Sequence, residues 1–237
     1  MSGDYHLTFD VDWAPDWSVR ETLDVLSTAD VRATFFVTHA SPTVAEVAAA
    51  GHEVGIHPNF QDGSTQGADP IGVVGRLLEI VPDARVMRTH GLIQGSLLLR
   101  DVLEAFPQIT YDMSILTYRF PHTAWFGWKL RDSQMQRINY TWEDDVAFYD
   151  DEQNWGLHAP SSEVDILDFH PIHVSLNSAD ERNYERAKQV LGPRPLTELG
   201  RNEARALRGS GCGTADYLNA VLGSPGRAIS FEELLCV

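Results

Sequence analysis

The chain has 237 residues, 43% of them hydrophobic and 22% charged, with a formal net charge of −16. That length suits a single α/β barrel of about 250 residues, and the composition suits a chain that buries a large core. The negative balance repels phosphate backbones and anionic lipid, so neither nucleic acid nor a membrane surface is an expected partner, and a neutral or cationic substrate fits better.

Strand-like runs are expected at 5–10, 32–37, 53–57, 84–88, 108–112, 138–143 and 164–170, with helical patterns at 17–29, 41–50, 70–81 and 94–106. Ser41 and Pro42 read as an N-cap followed by proline at the first helical position, and Asp69 and Pro70 repeat the signal. Gly51 stands where a helix ending at Ala50 wants its terminating residue. Strand–helix alternation implies parallel strands joined by crossovers. Seven strands suit a barrel, with an open doubly wound sheet as the alternative. Segment 119–135 reads as a long loop able to close over substrate. After 176 the pattern changes to a charged helix at 178–190, a Gly/Pro/Arg-rich stretch at 191–213 read as a mobile loop, and a helix at 214–222. The whole is expected to be one domain over 1–237, with C-terminal helices in 176–237.

The first ten residues lack the basic and apolar regions of a secretory leader, and no run of about 18 apolar residues follows, which makes the cytoplasm the expected address. Cys212 and Cys236 fit neither a metal motif nor a disulfide framework.

The conspicuous polar residues gather at the C-terminal ends of the expected strands: Asp10 and Asp12, His39, His57, Arg88 and His90, Glu143 and Asp144, then Asp168 and His170. In parallel α/β architectures that edge is where loops converge on a ligand. Period-two alternation would put Asp10 and Asp12 on one face. Converging carboxylates repel unless a cation or a proton separates them, so a metal would leave one as ligand and the other as base; a helix-capping aspartate beside a solvated one is the plainer reading. His57 is a suitable ligand for zinc-like ions, or a packed histidine. Arg88 would orient Asp10, or be a surface arginine beside a loop histidine, and His170 would serve as general acid with Asp168 or Asp144 fixing its tautomer. Trp13, Trp17, Trp125, Trp128 and Trp142 offer flat faces to a sugar ring, or pack in the core as tryptophans more often do.

Together these segments resemble the polysaccharide deacetylase family, the NodB-like group also called carbohydrate esterase family 4. The resemblance rests on LTFDVD at 7–12, ATFFV at 33–37, GHEVGIH at 51–57, the Arg88 segment and ILDFH at 166–170, in family order over about the first 175 residues. Closest in character are the deacetylase-like proteins of sugar-modification gene clusters. The resemblance implies a distorted (β/α)7 barrel and hydrolysis of an N-acetyl group on an amino sugar or glycan. It also implies one divalent metal, zinc first, with cobalt, nickel or manganese as substitutes. Carried over, Asp10 is the general base, Asp12 and His57 are metal ligands, Arg88 tethers Asp10 and His170 is the general acid. Two departures stand out. Val11 separates two aspartates that are often adjacent in the family, which passes the ligand role to Asp12. Gln61 stands where a second histidine, about four residues after the first, is normal. His90 is then the expected third ligand, with His39 next, Asp62 or Asn59 after it, and Gln61 last. His39, Asn59 and Trp13 are expected to contact substrate. The rival readings are a metal amidohydrolase acting on a small non-sugar amide and a metal-free sugar-binding pseudoenzyme.

Overall fold

The structure is a computed structural model that describes residues 3–119, 123–150, 155 and 164–237. Its described strands form one mainly parallel sheet: β1 (Tyr5–Asp10), β2 (Ala33–Val37), β3 (Glu53–Ile56), β4 (Val86–Met87), β5 (Tyr111–Leu116), β6 (Trp125–Leu130), β7 (Ser133–Tyr140), β8 (Trp142–Glu143) and β9 (Asp165–Phe169). Hydrogen-bonded neighbours run in the order β6, β7, β5, β4, β3, β2, β1, β9, β8. The two ends of that series are one stretch of chain. Tyr140 pairs with Leu116 of β5, Thr141 N donates to Ile166 O at 2.9 Å, and Trp142 pairs with Leu167 of β9. The segment from Ser133 to Glu143 therefore changes partner at Thr141 and closes the sheet into a distorted barrel of seven staves. β6 is an antiparallel addition beside β7 at the end of the strand order.

Helices α1 (Asp16–Ala29), α2 (Pro42–Ala49), α3 (Pro70–Ile80) and α4 (Ser96–Ala105) follow strands β1 to β4. Their starts obey the capping signals in the sequence. Ser41 Oγ accepts from Thr43 N at 3.0 Å and Asp69 Oδ2 from Gly72 N at 2.7 Å, each before a proline. These bonds satisfy amides that a helix start leaves open. Gly51 follows α2 at φ +81°, the left-handed conformation that glycine adopts without strain. No described helix is long and apolar enough to cross a membrane.

Two apolar clusters divide the interior. The larger lies between the sheet and the helices, and its residues on β1 are Tyr5, Leu7 and Phe9. The smaller includes Phe36, Val86, Met113, Ile138, Tyr140 and Ile166. These residues line the inside of the barrel. Phe231 and Leu234 of α10 (Phe231–Leu234) join them from the end opposite the strand C-termini. Alternation then sends His6, Thr8 and Asp10 of β1 inward. The barrel's inner wall on this strand is polar from floor to mouth.

Three expectations need correction. Segment 119–135 is a loop only in part: residues 120–122 lie outside the described ones, and Trp125–Leu130 pairs with Ser133–Tyr140 as a hairpin. The fifth strand runs over 111–116 rather than 108–112. The stretch 191–213 holds a helix, α8 (Arg201–Leu207), whose start is fixed by Glu203 accepting from Gly200 N at 2.8 Å and which buries Ala204. Between Thr141 and α8 lie α5 (Asp144–Ala147), α6 (Pro171–Leu176) and α7 (Glu181–Leu191), and α9 (Thr214–Leu222) follows.

Candidate active site

The polar residues expected at the strand ends converge on one mouth of the barrel. Asp10 is the last residue of β1, but Asp12 lies beyond it, so alternation along an extended strand does not align the two. A turn does. Ala14 N donates to Val11 O at 2.7 Å, and the two central residues, Asp12 and Trp13, have φ of +44° and +55°. Left-handed backbone at two successive residues with β-carbons is strained, and such strain collects where a side chain must be aimed. Here it aims Asp12 into the mouth.

Asp12 Oδ1 lies 3.1 Å from His57 Nε2 and 3.0 Å from His90 Nδ1, and the two imidazole nitrogens are 3.3 Å apart. A tetrahedral ion with bonds of about 2.0–2.1 Å separates its donors by about 3.3 Å, so this triangle has the edge lengths of such a site. One carboxylate and two imidazoles are also the donor chemistry that zinc-like ions take. Burial pushes the Asp12 carboxyl up, but hydrogen bonds from His170, His57 and His90 outweigh it and hold the group well below the usual carboxylate range. His57 Nδ1 is buried without a partner among the described residues, so Nε2 makes every polar contact of that ring. The Trp13 ring meets His90 edge-on at 5.4 Å and packs it in place.

Behind the triangle, Arg88 is fully buried. Its Nη1 donates to Asp10 Oδ1 at 3.0 Å and also to Asp168, its Nη2 to Thr8 Oγ1 at 3.0 Å, and its Nε to Met113 O at 3.0 Å. The guanidinium is sandwiched between the rings of Phe36 and Tyr140, 4.6 and 4.1 Å from their centroids. Bonds in plane and aromatic rings above and below leave it one position. Asp10 Oδ2 points toward His57 Nε2 at 3.5 Å. Glycine at 55 is required by this stack, because a Cβ there would lie 2.8 Å from Phe36 Cδ1 and from Val86 O.

On the far side, His170 Nδ1 lies 2.7 Å from Asp144 Oδ1 and its Nε2 3.4 Å from Asp12 Oδ2. Asp144 Oδ2 accepts from the His170 backbone N at 2.9 Å. Asp144, not Asp168, therefore fixes this imidazole. Burial lowers the His170 pKa, but the Asp144 charge with hydrogen bonds to Asp12 and Asp144 raises it well above the ordinary value, so the ring is cationic at neutral pH.

The other expected residues make contacts of their own. His39 Nδ1 contacts Thr38 Oγ1 at 2.9 Å, and Asn59 Oδ1 accepts from Gln61 N at 2.9 Å. Gln61 and Asp62 are exposed. Trp17 donates to Leu199 O at 2.7 Å, and Trp142 is buried against Phe169 and Tyr217, so it offers no face to a sugar. Trp125 and Trp128 lie on the hairpin. Sequence reasoning missed a cleft of about 190 Å³ beside Asp12 and His170, lined by Phe148, Ile172 and Tyr184 with Asp145, Glu181 and Glu185. The amphipathic pattern of the charged helix was the available signal. It also missed Thr8, Phe36 and Tyr140 around Arg88, although the polar alternation of His6, Thr8 and Asp10 pointed inward.

The WbmS-like polysaccharide deacetylase family matches residues 7–188. A crystal structure from Bordetella bronchiseptica, described as a polysaccharide deacetylase involved in O-antigen biosynthesis, is 30% identical, with a TM-score of 0.78 over 93% of this chain and 90% of that one. A peptidoglycan N-acetylglucosamine deacetylase is 13% identical, over 98% of this chain and 87% of that one. The Xyl-CE4 domain of a multidomain xylanase from the hindgut metagenome of Trinervitermes trinervoides is 15% identical, over 99% and 90%. Both have TM-scores of 0.46. No curated protein matches.

Proposed function

This chain belongs to the WbmS-like polysaccharide deacetylase family, and from that membership we propose that it hydrolyses the N-acetyl group of an amino sugar with the help of one divalent metal. The observation that carries the proposal is the triangle of Asp12 Oδ1, His57 Nε2 and His90 Nδ1, with edges of 3.0 to 3.3 Å. In this reading His90 takes the place that Gln61 leaves open, which removes the main support for a metal-free sugar binder. The part of the Bordetella relative in O-antigen biosynthesis directs the substrate toward an N-acetylated sugar of a surface glycan or its nucleotide-linked precursor. The exposed free thiols Cys212 and Cys236 suit the reducing cytoplasm.

Asp12, His57 and His90 would hold the ion, zinc first, with cobalt, nickel or manganese as substitutes. When bound it supplies Lewis acidity to the acyl carbonyl and to water. The remaining work belongs to the chain. Arg88 fixes Asp10 Oδ1 and leaves Oδ2 toward the mouth, where it takes the proton of the attacking water. His170, cationic and anchored through Nδ1 by Asp144, gives its Nε2 proton to the departing sugar amine. Trp13 keeps the His90 ring in place beside the substrate.

The test is acetate release from N-acetylated monosaccharides, nucleotide sugars and glycans by metal-loaded and chelated protein, beside amine or ammonia release from ureides and acylated amines. Acetate release from the sugars by loaded protein alone supports the proposal. Turnover of the non-sugar amides alone would replace it with an amidohydrolase, and failure to retain any added metal would replace it with a binder.

A further inference from the structure

Asp168 has no part in that chemistry, yet it is completely buried and shares Arg88 Nη1 with Asp10. Its Oδ1 accepts from Arg88 and, at 2.6 Å, from Thr8 Oγ1. Its Oδ2 is buried and has no partner among the described residues. Donor-capable atoms of Asp10, Asp168 and His170 all lie within 4.8 Å of one another. Asp168 is also register partner to Glu143, whose carboxylate accepts from the Tyr140 hydroxyl at 2.7 Å. One guanidinium thus faces two buried carboxyls, with a third close behind. Two anions sharing one cation at depth, one of them with a bare oxygen, is an arrangement that burial penalises heavily. A proton on one of them relieves it. Asp10 already has Arg88 on one oxygen and the imidazole of His57 toward the other, so Asp168, with its bare Oδ2, is the group that takes the proton.

We propose that Asp168 stands as a neutral carboxylic acid at physiological pH and is a positioning residue, holding Arg88 together with Thr8 while leaving the guanidinium charge to Asp10. The groups facing it are Thr8 and Asp10 on β1, Arg88 after β4, Tyr140 on β7, Glu143 on β8 and His170 after β9. Among these influences burial is the largest. It raises the Asp168 carboxyl, Arg88 draws it down and the Asp10 charge lifts it again, to about 8. Above that pH an ionised Asp168 competes for Arg88 and loosens the hold on Asp10.

The rate consequence rests on the deacetylase reading, but the protonation does not, so two measurements separate them. Infrared difference spectra of metal-loaded protein with carboxyl-labelled aspartate should show an acid carbonyl band at about pH 7 that is lost by about pH 10 and absent from Asp168→Asn. In the acetate assay, Asp168→Asn should keep the neutral rate within about threefold and lose part of the alkaline decline, whereas Asp168→Ala should fall by about tenfold or more. A wild-type spectrum without that band, or an Asn variant as impaired as the Ala variant, overturns the proposal. If the wild type releases no acetate from any N-acetylated sugar, the deacetylase reading fails, and the band alone still decides the state of Asp168.

Discussion

Asp12 Oδ1 lies 3.1 Å from His57 Nε2, although β2 separates the strands from which the two residues emerge. A carboxylate and an imidazole nitrogen that close, with His90 Nδ1 completing the triangle, make a specific demand on metal binding. Asp12→Ala, His57→Ala and His90→Ala should each weaken zinc binding by more than the roughly 100-fold that loss of an outer partner costs. Gln61→Ala and Asp62→Ala, both exposed, should leave it unchanged. Titration calorimetry and elemental analysis check this, and normal zinc content in His90→Ala would remove His90 from the set.

Asp144 is the largest influence lifting the pKa of His170. Asp144→Asn takes that charge away, so His170 should deprotonate at lower pH and the alkaline limb of kcat/KM should move to lower pH. The rate at neutral pH should fall by roughly 10²–10⁴-fold, the range of general acid catalysis, with zinc content unchanged. An unmoved alkaline limb would assign it to another group.

Gly55 lies under the ring that supports Arg88. Gly55→Ala forces a β-carbon to within 2.8 Å of Phe36 and the Val86 carbonyl. The expected cost is about 1–3 kcal/mol in denaturant unfolding, typical of overpacking. Activity should fall further than stability does, because the guanidinium loses one of its two aromatic faces. Phe36→Leu in the same background should recover part of the stability.

His6 is buried on the barrel floor, its Nδ1 2.8 Å from Ile229 O and its Nε2 2.9 Å from Thr34 Oγ1, a neutral arrangement in which Nδ1 donates and Nε2 accepts. Burial, the largest influence, lowers its pKa from 6.5 to about 4. The unfolded chain therefore binds the extra proton first as pH falls. Stability from this group is full above pH about 6.5 and is lost progressively down to pH about 4, on the order of 3 kcal/mol in all. Denaturation midpoints from neutral to acid pH should show that loss, and His6→Gln should flatten it.

The fold was legible in the short, buried, β-rich runs of β1, β2 and β9 and in the capping signals at the starts of α2 and α3. The hairpin was not, because Trp125–Leu130 mixes exposed and half-buried residues without a clean alternation and carries glycine and lysine. The stretch at 191–213 was hidden by its Gly and Pro content, although Gly200 and Glu203 form a helix start there. At the candidate site, residue types and their strand-end positions sufficed to bring Asp10, Asp12, His57, Arg88, His90, Asp144 and His170 together. The manner of their meeting was not legible. Alternation cannot anticipate a left-handed turn at Asp12 and Trp13, nor aromatic rings on either side of a buried arginine. Likewise, nothing local to Asp144 or Asp168 says which of them reaches His170.

The change of partner at Thr141 divides the chemistry mechanically. Asp10, Asp12, His57, Arg88 and His90 all hang from the continuous run β1 to β4. Asp144 follows directly on the short join between β8 and β9, where, among the described residues, two register pairs zip the cylinder shut. Slackening that zip would carry the acid's anchor away from a still intact ion cradle. On the proposed reading, such a protein would still bind a metal and polarise its substrate, yet stall at release of the amine.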